Sequence, residues 1–243
     1  MKNPKVYRWL SGVLLATLGV SGCSHQMATV PDERLTQLPP ASRQAVVAEE
    51  QRVSIAQQNV VSARVALDES RRFRDVTQSE LRAANARLDA ANKALALSES
   101  SRAAAQADRA REARRAAAME LAAAQAKRDY ADRLVQLRRA QLDEANADLA
   151  VARADVEMRK IRELASRGLA TPTEVNRFAE SRSRAEADLA RNRRMVAELS
   201  TVLASARENW ESRRREYNTA SRVLAPLTPP PPPQQLPLNP PGE

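Results

Sequence analysis

Cysteine and histidine are scarce in this chain of 243 residues, and helix breakers are scarce in its middle. It has one cysteine and one histidine, so no disulfide can form within the chain. His25 has no partners for a metal site, and no other histidine is present to act as the base of a serine nucleophile. Acidic residues are plentiful, but we expect them on exposed helix faces rather than together in a pocket. We therefore predict that the protein is not an enzyme and holds no metal ion and no cofactor.

Glycine and proline are almost absent from the middle of the chain. Between Ala41 and Ala225 only Gly168 and Pro172 occur, and Arg, Ala, Glu and Leu dominate. This composition is typical of long helices that pack through narrow seams. The sequence thus predicts an all-α fold, a long antiparallel coiled-coil hairpin over residues 41–225 with its turn at 168–172.

The turn carries a helix stop followed by a helix start. Gly168 suits the left-handed position that ends a helix, because glycine adopts positive φ without steric cost. Thr171 can cap the next helix, Pro172 fits its first turn, and Glu174 completes a Thr-x-x-Glu capping box.

Both arms carry apolar residues at seven-residue spacing. Reflection about the turn sets Leu149 opposite Leu189, as an antiparallel coiled coil requires.

The first arm has a second seven-residue series that is out of phase with the one near the turn. It consists of Val46, Val53, Val60, Leu67, Arg74, Leu81, Leu88 and Leu95. Either one helix runs unbroken over residues 41–167, roughly 190 Å at 1.5 Å per residue, or the chain reverses near residues 98–101 and forms a three-helix bundle. Because neither Gly nor Pro occurs there, we favour the unbroken helix. Its free seam would need a second copy or another helical protein of the cell envelope.

Residues 1–22 have the parts of a secretory leader: a basic start with Lys2, Lys5 and Arg8, and a short apolar stretch over 13–20. The following Val20-Ser21-Gly22-Cys23 resembles the lipobox of bacterial lipoproteins. The resemblance implies that the leader is removed and that Cys23 carries a diacylglycerol and an N-acyl chain. With Ser24 next to it, the family's sorting rule implies the outer membrane, facing the periplasm, rather than the inner membrane. Residues 23–40 are then expected to form a flexible linker.

The turn also resembles the hairpin tip of periplasmic adaptor (membrane-fusion) proteins. That family has Arg-x3-Leu-x6-Ser at the tip, and this chain has Lys160, Leu164 and Thr171 at the same spacing. The resemblance implies that these three residues dock on an outer-membrane export channel. It covers only residues 110–224, and the β-rich domains that flank the adaptor hairpin have no counterpart here.

Basic residues outnumber acidic ones, 39 to 30. Removal of the leader lowers the formal charge of +9 by three units, to +6. Arginines cluster at 109–115, 191–194 and 213–215. We expect these runs to be solvated helix faces. The alternative is that they contact peptidoglycan or anionic lipid; we do not expect nucleic acid as a partner.

Residues 226–243 are half proline, which predicts a polyproline II or disordered tail.

These features together predict a non-enzymatic envelope lipoprotein that presents a periplasmic coiled coil as a spacer or assembly element. Its expected partners are the membrane, through the lipid, and either further copies of itself or another helical envelope protein. Two alternatives are an accessory adaptor that docks its tip on a channel, and a module that binds cell wall or anionic lipid through its arginines.

Overall fold

The computed structural model describes residues 28–101 and 104–224, and all regular structure in this part is helical. A short helix, α1 (Asp32–Leu35), precedes three long ones: α2 (Pro40–Ser100), α3 (Ala104–Ala165) and α4 (Pro172–Leu224). The predicted all-α class with a hairpin of long helices is confirmed. The predicted leader, Cys23 and the proline-rich tail lie outside the described residues.

The chain reverses direction between α2 and α3. Lys127 Nζ lies 2.6 Å from Glu80 Oε2, and Arg114 Nε lies 2.9 Å from Asn92 Oδ1, so the two helices run antiparallel. The favoured unbroken helix over 41–167 is therefore wrong, and the three-helix alternative is correct.

Packing favours the reversal, whereas the serines near it give no distinct signal. The hydroxyls of Ser98, Ser100 and Ser101 each donate to a backbone carbonyl three residues earlier, but Ser70 and Thr77 do the same in the middle of α2, so these bonds do not mark the helix end. Reversal lets the seam of α2 pack on α3 within one chain. In an unbroken helix the same apolar residues would face water, at a cost of about 25 cal/mol per Å².

Helix α3 is the centre of the bundle, packed against α2 and α4, which make no comparable contact with each other. Two packed sides leave α3 a single solvent-exposed stripe. Between residues 119 and 161 its exposed positions are all polar: Gln125, Asp129, Gln136, Arg139, Asp143, Asn146, Arg153 and Arg159. The many alanines on the remaining faces, such as Ala131 and Ala154, allow close helix approach on both sides.

The predicted register between the last two helices is confirmed. Asp155 Oδ1 lies 2.5 Å from Arg182 Nε, and the Asn192 side chain donates to the Asp143 carbonyl at 3.2 Å, in agreement with reflection about the turn.

One aromatic layer links all three long helices. Tyr130 of α3 stacks on Trp210 of α4, with ring centroids 5.3 Å apart, and meets Phe73 of α2 edge-on at 6.2 Å.

Candidate functional site

The turn between α3 and α4 closes one end of the bundle, and its predicted geometry is confirmed. Gly168 has φ 70°, the left-handed conformation expected for it. The amides of Gly168 and Leu169 donate to the carbonyls of Ala165 and Leu164 at 2.9 and 3.0 Å, which is the Schellman pattern. This end of the molecule, residues 157–178, is called the turn end below.

The start of α4 shows the predicted capping box. The backbone amide of Glu174 donates to Thr171 Oγ1 at 3.3 Å, and Glu174 Oε2 accepts from the Thr171 amide at 2.7 Å. The bond from that amide lowers the pKa of Glu174 to about 2, with further contributions from the Arg34 guanidinium and the Thr171 hydroxyl. Glu174 is therefore ionised at neutral pH and holds both the cap and a residue from the other end of the sequence.

The segment that precedes α2 packs on the turn end. Within the expected linker 23–40, residues 28–39 are structured: Leu38 is 2% exposed and lies in one cluster with Ile161, which is 0% exposed. The expectation of a flexible linker is wrong for residues 28–39, because Val30 and Leu38 pack against apolar side chains of α3 and α4. The buried members of the cluster are Val30, Leu38, Met158, Ile161, Leu164 and Phe178.

Polar contacts reinforce this docking. The Val30 amide donates to Glu157 Oε2 at 2.6 Å. Arg34 reaches over the turn, donating to the Leu169 carbonyl at 2.5 Å and to Glu174 Oε1 at 2.8 Å. We call residues 28–39 the N-terminal clamp, because they hold the end of α3 and the start of α4 together. The clamp was missed at the sequence level, although the apolar spacing of Val30, Leu35 and Leu38 was a signal for it.

The three residues that resemble an adaptor tip all lie at the turn end, but two of them are covered. Leu164 is 0% exposed beneath the clamp. Lys160 is 8% exposed, and its ammonium pairs with Glu157 at 2.8 Å. Thr171 is exposed and serves as the helix cap. A channel could reach Leu164 only after the clamp had been displaced.

Two of the arginine runs meet at the opposite end of the bundle. Arg115 of α3 and Arg215 of α4 line one groove of about 580 Å³, whose apolar wall includes Ala116, Met119 and Ala220. Glu112 and Glu216 also line it, so the groove has charges of both signs. The third run, at 191–194, lies midway along α4, where Arg191 pairs with Asp188 and Arg193 with Glu144.

No family model, curated protein or solved structure matches this chain at a significant level. Among the helices that the structure describes, none combines the length and apolar character needed to cross a bilayer. Over residues 28–101 and 104–224, no three His, Cys, Asp or Glu side chains converge in a way that could hold a metal ion.

Proposed function

We propose that this chain is an envelope lipoprotein, held at the outer membrane by acyl chains on Cys23, whose three-helix rod acts as a spacer or assembly element. The observation that carries the proposal is the basic and apolar leader followed by Val20-Ser21-Gly22-Cys23. Two or three acyl chains give stable anchoring, because each buried methylene contributes about 0.8 kcal/mol.

The N-terminal clamp supports this role by joining the anchor to the rod without a long tether. Ala28, where the clamp begins, is the fifth residue after Cys23. Since an extended chain spans at most about 3.6 Å per residue, Ala28 would lie within roughly 18 Å of the acylated cysteine. The turn end is then the membrane end, and the Ser101 end is the free end.

Fatty-acid labelling in cells tests the anchor. We expect a labelled fatty acid to be incorporated into the native chain and to be lost in Cys23→Ser, while the matched control Ser24→Ala keeps the label. The native chain should fractionate with membranes, and Cys23→Ser should be released from them. Label that survives in Cys23→Ser, or no label in the native chain, would contradict the proposal.

Binding of an anionic envelope polymer at the free end is a second candidate function. It is favoured by one observation, the convergence of Arg115 and Arg215 on the same groove. We expect the chain to cosediment with isolated cell wall at low salt and to be released at high salt, because exposed charges are screened beyond about 10 Å at 0.1 M. Arg115→Gln with Arg215→Gln should weaken binding. The mid-rod pair Arg191→Gln with Arg194→Gln is the matched control, and an equal loss in both pairs would contradict a local site.

A further inference from the structure

Exposed aliphatic side chains are concentrated on one face of α2. Six of the nine large hydrophobic residues that are exposed in the described part belong to this helix, and four of them lie within residues 47–65. Val61 is the most exposed of these four, at 63%. The face points away from α3, and we call it the outer face. Its nine exposed members are Val47, Ala48, Gln51, Ser54, Ile55, Gln58, Val61, Ser62 and Val65.

The outer face carries no charge over 19 residues, in a chain of which 28% is charged. One edge of it is polar and has a regular pattern: Glu50, Gln57 and Arg64 follow each other at seven-residue spacing. All three are exposed, and neither Glu50 nor Arg64 forms an ion pair with any residue that the structure describes. An uncharged strip with four exposed aliphatic side chains and an opposite charge near each end is the pattern of a contact surface.

The pattern is complementary to itself when a second copy runs antiparallel. A two-fold axis through Gln57 sets Glu50 at the level of Arg64 of the second copy, and the same pair repeats on the other side of the axis. The two Gln57 amides then meet at the centre, where each can donate to and accept from the other. The aliphatic residues alternate between the copies, since Val65 of one falls between the levels of Val47 and Ile55 of the other.

A parallel arrangement fits poorly. It would set Arg72 against its own copy and Asp68 beside Glu69 just beyond the apolar strip. Like charges in direct opposition are destabilising. It would pair Arg64 with Glu69 of the second copy, five residues further on, but it would set Glu50 beside the neutral Ile55 and so leave that end of the strip without an opposite charge.

We propose that the outer face of α2 is the interface of an antiparallel homodimer of this chain. The contact is about 28 Å long at 1.5 Å per residue, which places it at the small end of protein interfaces, below about 1,200 Å². We therefore expect a reversible dimer. The turn ends of the two copies point in opposite directions. This part of the inference rests on the proposed acylation of Cys23. Both lipid anchors then reach the same membrane when the dimer lies flat along the membrane surface. A dimer in this position fits the assembly role better than the spacer role.

Cysteine crosslinking of the full-length chain tests the contact and its direction. Residue 58 lies one step from the two-fold axis, so Gln58→Cys should give a disulfide-linked dimer under mild oxidation. Residue 65 should lie about 24 Å along the helix from its symmetry mate at 1.5 Å per residue, so Val65→Cys should not. The native chain, with Cys23 alone, is the blank. Linkage through residue 65 would overturn the antiparallel arrangement, and failure of linkage through residue 58 would overturn the interface.

Charge reversal gives a second test, by sedimentation of the detergent-solubilised full-length chain. Glu50→Arg and Arg64→Glu should each weaken dimerisation at least tenfold, and the double variant should restore most of the affinity. Arg82→Glu, exposed on the same helix beyond the strip, is the matched control and should have no effect. Circular dichroism should show that every variant keeps its helices. A double variant as weak as the single ones would contradict the pairing.

The two proposals can fail separately. A dimer in a chain that takes up no fatty acid would leave the interface standing and overturn the anchor. Fatty-acid label on a chain that stays monomeric up to high concentration would support the anchor and overturn the interface. The outer face would then be available to lipid or to another helical protein.

Discussion

At the scale of single residues, Gly168 offers the simplest test of the turn. A Cβ added at this position would meet no atom within 4 Å, so Gly168→Ala creates no clash and leaves only the cost of a positive φ. That cost is about 1 kcal/mol for a residue with a side chain. We expect the free energy of unfolding in urea to fall by about that amount. Ser166→Ala in the same exposed turn is the control, and equal stability of the native chain and Gly168→Ala would contradict the left-handed turn.

Glu174 makes the turn end sensitive to acid. Its pKa is about 2 in the folded chain against an ordinary 4.5, mainly because it accepts a bond from the Thr171 amide and also pairs with Arg34. A lowered folded pKa means that the stabilisation is complete above pH 4.5 and is lost as the pH falls toward 2. We expect thermal unfolding of the native chain to lose stability over that window, and Glu174→Gln to lose less. Identical pH profiles for the two would show that the carboxylate does not hold the turn.

At the scale of elements, the N-terminal clamp determines how α3 and α4 end. Leu164 is 0% exposed beneath it, whereas Leu97 near the end of α2 is 71% exposed. Removal of a buried leucine side chain leaves a cavity and costs about 3 kcal/mol, while the same change at an exposed site costs much less. We expect Leu164→Ala to destabilise the bundle by that amount and Leu97→Ala to leave it nearly unchanged. Similar unfolding curves would indicate a detached clamp and an open tip.

Local signals explain which elements could be predicted from the sequence. The turn at 168–172 follows from glycine, threonine and glutamate at set spacing, and all of these interactions lie within a few residues of one another. The seam of α4 was also predictable, because Val196, Leu203 and Trp210, which follow Leu189 at seven-residue spacing, face inward. Each of these features depends on spacing along a single helix.

The clamp and the reversal at Ser98–Ser101 depend instead on contacts between distant segments. Leu38 looks like a linker residue until α3 returns to the same end of the molecule and forms the pocket that buries it. The reversal has no glycine or proline to mark it. It is favoured because α3 can bury two faces at once, which is a property of the whole bundle. Consequently the candidate tip residues were placed at the correct turn, but their burial could not be foreseen.

At the scale of the whole molecule, the reversal shortens the reach of the rod by half. The longest helices, α2 with 61 residues and α3 with 62, correspond to about 92 Å at 1.5 Å per residue. The unbroken alternative would extend roughly 190 Å. Both ends of the resulting rod have distinct chemistry: the clamp and turn close one end, and the arginine groove lies near the other.

A distance between α2 and α3 separates the two shapes directly. Spin labels at Glu80 and Lys127 should lie within about 20 Å of each other, since these side chains form an ion pair across the two helices. In an unbroken helix the same 47-residue separation would span about 70 Å at 1.5 Å per residue. Arg43 and Ala90 have that separation within α2 and provide a control that should read about 70 Å in either shape. Dilution with unlabelled chain removes distances between copies. A long distance for the first pair would overturn the three-helix bundle, and with it the placement of the turn at the anchored end.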